Sequence, residues 1–261
     1  MSERTPIPSI AVVCALESEA VHLRRRLTKP HEAQLARWRR TRGVMAGRAV
    51  EVLVSGIGLV NAAAATAALL AGARPRALLN YGCAGAHRED LALGDVVLAS
   101  RVVHPSSHIV RPDGGRLYKG FWYDVEGQRV EVEAIPADPD LLALAARVAE
   151  GVVLPPWPGA GRAPRVEVGT VASADVWTQH GESIRALHRV HGSVCEEMEA
   201  AAIAQVAAIF GVPLLAVKDI SNNELVAVTD PDVAGGFLLT AIQEEIGRRA
   251  ALLVEAVIGG L

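Results

Sequence analysis

Three carboxylates in four residues, Glu196-Glu197-Met198-Glu199, stand where an apolar strand sequence runs into the alanine-rich stretch after Glu199. Acidic side chains are rarely buried unless paired, and at a helix start they complement the macrodipole, which is the plain reading for Glu196 and Glu197. Glu199 leads straight into Ala200-Ala201-Ala202-Ile203, which leaves little solvated face, so its carboxylate is expected to point into a cleft. Glu19 follows another apolar run and reads alone as an ordinary first-turn acid. Paired carboxylates of this kind activate water and stabilise a developing positive charge. Trp177, in a chain with only 4% aromatics, sits beside Asp175 and Thr178 and is read either as core or as a flat platform for a ligand. Gly56-Ile57-Gly58 resembles the start of a dinucleotide fingerprint but has Asn61 where the third glycine belongs, so a close-approach turn at a ligand is the better reading. Asn61 itself is read as a polar contact or a helix-interior residue. His104/His108 and His188/His191 have helical metal spacing without an H-E-x-x-H pattern, and no metal site is assigned.

The elements that must position these residues follow from apolar runs and their punctuation. Strands are expected at 10–16, 77–81, 95–103, 165–172, 193–197 and 213–220, with a hairpin from 41–46 and 49–55. Helices are expected at 18–27 with Ser18 as cap, 59–71, 141–150 after the Asp138-Pro139 start, 182–189, 199–210 and 237–258. The Pro/Gly-rich 151–164 reads as a surface loop. Strands alternating with helices predict one α/β domain over 1–261, a mostly parallel central mixed sheet flanked by helices. Ligands of such sheets gather at the carboxyl ends of strands, where Glu19, Ser55 to Gly58, Gly82 to Gly85, Ser173 to Thr178 and Ser221 to Glu224 all fall.

Composition narrows the class further. With 261 residues, 51% hydrophobic and 21% charged, the chain is expected to be globular. A net charge of −3 gives no support to a nucleic-acid surface. Cys14, Cys83 and Cys195 form no C-x-x-C pair and fit a reducing cytoplasm. Residues 200–217 carry no charge, but Gly211 and Pro213 divide them into a helix and a strand, so no membrane span is expected.

Taken in order, Ala15-Leu16-Glu17-Ser18-Glu19, Ser55-Gly56-Ile57-Gly58, Asn80-Tyr81-Gly82-Cys83-Ala84-Gly85, Leu93-Gly94-Asp95-Val96-Val97, Ser173-Ala174-Asp175, Glu197-Met198-Glu199-Ala200 and Ile220-Ser221-Asn222 resemble the nucleoside phosphorylase superfamily. Within it the sequence is most similar to the 5'-methylthioadenosine/S-adenosylhomocysteine nucleosidases. The resemblance implies hydrolysis of the N-glycosidic bond of a purine nucleoside through a ribosyl cation-like transition state, without a cofactor, in a homo-oligomer, expected as a dimer. It implies that Glu19 polarises the attacking water, that Glu199 holds a ribose hydroxyl, and that Met198 packs on the sugar beside Glu197. Ile57, Cys83, Ala84 and Gly85 would line sugar and base, Trp177 would stack on the purine, and the Thr178 backbone would meet the base edge. Two positions depart from the nucleosidase pattern: Cys83 stands where the family has Ser, and Asn222 where it has the Asp that protonates purine N7. An amide donates a hydrogen bond but transfers no proton. Asn at this position also resembles futalosine hydrolases and the trimeric purine nucleoside phosphorylases, which handle 6-oxopurines. A phosphorylase and a non-catalytic nucleoside-binding protein are the rival functions. Against the phosphorylase stands the lack of a Gly-Asp-Pro-type N-terminal loop and of an arginine directly before Gly82.

Overall fold

The computed structural model describes residues 10–229 and 242–261. Its first strand, β1 (Ile10–Cys14), is buried along its whole length, as expected of a run apolar at every position. Helix α1 (Glu17–Arg24) follows, and its cap is not Ser18. Leu16 occupies the N-cap, and Glu19, three positions on, reaches back to accept the Leu16 backbone N–H at 2.9 Å, the second half of a capping box. Then come β2 (Thr28–Leu35), β3 (Trp38–Met45), β4 (Arg48–Val54), α2 (Leu59–Gly72), β5 (Ala77–Ala86) and β6 (Val96–Val103).

Two short hairpins occupy a stretch left unassigned from sequence: β7 (His108–Val110) with β8 (Arg116–Tyr118), and β9 (Phe121–Val125) with β10 (Gln128–Val132). After β11 (Ala134–Pro136), α3 (Pro139–Ala149) starts where Asp138 and Pro139 predict, the Asp138 carboxylate accepting from Asp140 and Leu141 N–H. The remaining elements are β12 (Val166–Ser173), α4 (Gly181–His191), β13 (Ser193–Glu197), α5 (Ala200–Phe210), β14 (Leu214–Asn222) and α6 (Arg248–Gly260). Helix α6 begins later than the sequence expectation of 237: residues 237–241 lie outside the described residues, and 242–247 form turns.

Ten strands form one mixed sheet, with five parallel pairings and five antiparallel ones. The parallel pairs β4–β1, β1–β5 and β5–β14 make its centre, and the antiparallel pairs β2–β3 and β6–β11 finish its edges. Strand β2 is an exposed edge strand with polar side chains and Pro30, a composition that blunts an edge and also hides the strand from pattern reading. Strand β5 pairs with three neighbours, and β5, β13, β12, β6 and β14 close into a ring. Closure needs bending, and register shifts occur at Gly169/Thr170, Thr170/Val171 and Ile220/Asn222.

Side chains of β1 alternate between two apolar layers. Ala11 and Val13 join the layer of α2 and α5, while Ile10, Val12 and Cys14 join that of α1, α3 and α6. The 200–217 segment is thus core helix followed by core strand. Among the described residues, no helix is long and apolar enough to cross a membrane.

Candidate active site

A cleft opens at the carboxyl ends of β1, β4, β5, β13 and β14, where the chain leaves the sheet. Glu19 lies in it, 2% exposed, and its carboxylate is held by the backbone. Oε2 accepts from Ala15 and Leu16 N–H at 3.1 and 2.9 Å, and Oε1 from Cys83 N–H at 3.0 Å. Burial raises the Glu19 pKa, against the opposing pull of Lys218 and these N–H groups. A Cβ at Gly82 would stand 2.6 Å from Glu19 Oε1, so this glycine makes the room the carboxylate occupies. Behind it, the buried Tyr81 hydroxyl donates to the Glu19 carbonyl, fixing the start of α1.

Glu199 enters from the carboxyl end of β13, at the start of α5. Its Oε1 accepts the Gly58 N–H at 2.9 Å, and Asp175 Oδ1 accepts the adjoining Leu59 N–H at 2.7 Å. Two carboxylates therefore cap α2, and a side chain at Gly58 would collide with Asp175, whose Oδ1 would be 2.9 Å from the added Cβ. That is the close approach behind Gly56-Ile57-Gly58. Asn61 donates to the Ile57 carbonyl at 2.7 Å within the first turn, a local contact. Burial first, and the neighbouring Glu197 charge second, push the Glu199 pKa up to about 8.

The other two acids of the cluster have different work. Glu197 borders the cleft, but its oxygens accept the Glu199 and Ala200 N–H groups at the start of α5 and pair with Lys218 Nζ at 2.7 Å. Its carboxylate thus serves as a helix cap and counter-ion at the border of the cleft. Lys218 is 1% exposed; burial works against its charge, but Glu197 and Glu199 outweigh that and hold its pKa above the usual lysine value. Sequence reading missed it, although a lysine amid Leu214-Leu215-Ala216-Val217 was the available signal. Glu196 Oε1 accepts the Thr178 N–H at 2.6 Å and Oε2 its hydroxyl at 2.9 Å, with His87 Nε2 at 3.3 Å. The Thr178 backbone N–H is thus taken by Glu196, and the residue borders a neighbouring cavity.

Cys83, Ala84 and Gly85 of β5, Ile57, Met198 and Trp177 line the same cleft as Glu19 and Glu199. Trp177 is 41% exposed, so it is a wall of the cleft and not core. Burial raises the Cys83 thiol pKa well above its ordinary value, which keeps it a thiol. Ser221 and Asn222 both reach the cleft, although neighbours on a regular strand face opposite ways; the register shift in β14 at this point accounts for it. Asp219 of β14 faces away: it accepts the Gly247 and Arg249 N–H groups at the start of α6. Burial, against Arg249, pushes its pKa up to about 7.

Residues 9–259 match the model of the phosphorylase superfamily, and the chain belongs to that family. Among its relatives, the 5'-methylthioadenosine/S-adenosylhomocysteine nucleosidase of Chromohalobacter salexigens is 31% identical over 95% of this chain and 96% of its own. The nucleosidase of that name from Neisseria meningitidis, solved with methylthio-immucillin-A, superposes with a TM-score of 0.74 at 25% identity, covering 97% of this chain and 99% of that one. The futalosine hydrolase of Helicobacter pylori shares the fold, with a TM-score of 0.77 at 22% identity over 98% of this chain and 99% of its own.

Proposed function

We propose that the protein is a purine nucleosidase that hydrolyses the N-glycosidic bond of nucleosides of the 5'-methylthioadenosine/S-adenosylhomocysteine type, releasing free base and the ribose derivative. The observation that carries this reading is the unequal use of the two cleft carboxylates. A carboxylate has about four lone-pair sites. Glu19 has three filled by backbone N–H groups, which leaves one direction in which to hold and deprotonate a water. Glu199 has one filled, which leaves room for ribose hydroxyls and sets negative charge beside a sugar that turns cationic. The apolar Met198 packs the sugar and Trp177 stacks on the base. Support comes also from the relatives named nucleosidases across nearly the whole chain. Among the described residues, the cleft lining holds no arginine or lysine for a phosphate, which favours water over phosphorolysis.

Base departure draws on Asn222, which hydrogen-bonds N7 but supplies no proton. This amide favours a second reading for the base, a 6-oxopurine nucleoside such as futalosine, whose oxo group helps carry the leaving negative charge. The dimer and the cytoplasmic setting expected from sequence belong to the same proposal, and light scattering at micromolar concentration tests the first.

The test of the reaction is incubation of the pure protein with methylthioadenosine, S-adenosylhomocysteine, inosine and futalosine in phosphate-free buffer. Release of free base with a free ribose product is expected. Release from none of the four, or a requirement for phosphate with ribose 1-phosphate as product, overturns the reading.

A further inference from the structure

Residues Tyr81, Gly82 and Cys83 of β5 meet Glu19 in three ways. The Cys83 N–H donates to its carboxylate at 3.0 Å, the missing side chain of Gly82 makes room for that carboxylate, and the Tyr81 hydroxyl donates to the Glu19 main-chain carbonyl. The carbonyl lies inside α1, whose ladder already supplies it with the amide four residues on. The tyrosine bond is therefore not needed to satisfy the helix; it joins the helix to the strand. Tyr81 is fully buried, and among the described residues Glu19 is the one hydrogen-bond partner of its hydroxyl. Burial first, with Cys14, Glu19 and Asp219 adding to it, raises the Tyr81 pKa well above its usual value, so the phenol keeps the proton it donates.

On its other side the hydroxyl is backed by the start of α6. A Cβ at Gly247, where φ is +76°, would lie 2.9 Å from the Tyr81 oxygen, so the glycine backbone is pressed against it. Gly247 is held in turn: its N–H and that of Arg249 donate to the buried Asp219 carboxylate at 3.4 and 3.2 Å. The Arg249 guanidinium, wholly buried over the Trp157 ring, donates to the Pro155 and Pro156 carbonyls at 2.8 Å each and to Glu245 Oε2 at 2.6 Å. The tyrosine oxygen is thus confined between a pinned glycine and Glu19.

We propose that Tyr81 is a positioning residue for the general base, a strut from the start of α6 to the Glu19 main chain that fixes where the Glu19 carboxylate stands in the cleft. This rests on the nucleosidase reading and deepens it. Two of the three N–H groups on the carboxylate, those of Ala15 and Leu16, belong to the same turn as Glu19 and move with it. Among the described residues, the two hydrogen bonds that reach Glu19 from outside the β1–α1 segment both come from β5, one at the carboxylate and one at the carbonyl. Without the second, the carboxylate is free to swing about the first. A catalytic group misplaced by about 1 Å loses about 10²-fold in rate, and the substrate is still bound.

The experiment measures kcat and KM for base release from 5'-methylthioadenosine or futalosine, whichever the wild type turns over faster. The proteins compared are the wild type, Tyr81→Phe, Gly247→Ala, Glu19→Gln and the double variant Tyr81→Phe/Glu19→Gln, each assayed below its own melting temperature. Tyr81→Phe removes one oxygen, and Gly247→Ala pushes on the same oxygen from behind. Each is expected to lower kcat by about 10- to 100-fold with KM within about twofold of the wild type. In the Glu19→Gln background no base remains to be placed, so Tyr81→Phe should change kcat no further, since residues that act as one unit are not additive. Loosened packing would instead raise KM, or lower kcat by the same factor in both backgrounds. If Gly247→Ala fails to fold, Tyr81→Phe carries the test alone. A Tyr81→Phe variant with wild-type kcat, one that changes KM alone, or one whose loss persists in full without Glu19 overturns the proposal and leaves the nucleosidase reading standing. A wild type that releases no base from either nucleoside overturns both.

Discussion

The cleft carboxylates Glu19 and Glu199 and the structural carboxylates Glu197 and Asp219 are all nine-tenths or more buried, and burial alone does not separate them. What separates them is which groups reach their oxygens. Glu197 accepts two N–H groups of the α5 start and pairs with a lysine ammonium, and Asp219 accepts N–H groups at the start of α6. Glu19 and Glu199 line the cleft, and among the described residues their oxygens accept from backbone N–H groups alone. An acid paired with a buried cation or turned from the cleft has its charge answered within the fold, and one that meets only backbone amides at the cleft keeps its charge for a substrate. Energetically the two kinds fail differently: loss of the first costs stability, and loss of the second costs rate.

The sharpest break of that comparison is Glu19→Gln. It should lower kcat for base release by about 10² to 10⁴, the range for a lost general base. A variant with near-wild-type kcat would move Glu19 to the structural set.

Lys218→Met tests the other side. It strands Glu197 without its counter-ion, and removal of one partner from a buried pair costs about 3 to 5 kcal/mol. A large fall in Tm is expected, and an unchanged Tm would show that Glu197 does not depend on the pair.

Glu199→Gln sharpens the contrast through pH. With its pKa at about 8, Glu199 of the free protein gains its charge as pH rises through that value, so kcat/KM should climb from pH 7 to 9. The variant should lose kcat far more than affinity and lack this limb. Stability runs the other way. The folded state holds the Glu199 proton more tightly than the unfolded chain, so this contribution is complete below the unfolded value, near 4.3, and is lost as pH rises through about 8. Glu199→Gln should therefore flatten the decline in melting temperature over that window, and an unaltered slope would contradict the assignment.

The smallest effect is expected at Trp177→Ala, which removes a half-exposed wall and should weaken nucleoside binding by roughly 1 to 3 kcal/mol with little change in kcat. An unchanged Kd from calorimetry would mean that the indole does not stack on the base.

How legible the molecule was depended on how local the cause was. Strand β1, helix α2 and the Asp138-Pro139 start of α3 were readable because a continuous apolar run and a capping pair act over a few residues. Strand β2 and the hairpins β7–β8 and β9–β10 were not, since short, exposed, polar strands lack the alternation that marks a buried face. The start of α1 was misplaced by the ordinary preference for Ser18 as a cap, where Glu19 serves the backbone instead.

By itself the sequence determined the α/β class, the strand ends that gather chemistry, and the family to which Glu197-Met198-Glu199 and its companion motifs belong. Those depend on residue type and spacing, which the chain carries locally. Only the tertiary structure decided which acid does what. Glu197 meets Lys218 from another strand, Thr178 gives its N–H to Glu196, and Glu224 grips Asn222 and Trp177 together across 47 residues of chain. A carboxylate's role is set by which donors reach its oxygens, and those donors come from segments that only the folded sheet brings within 3 Å or so of one another.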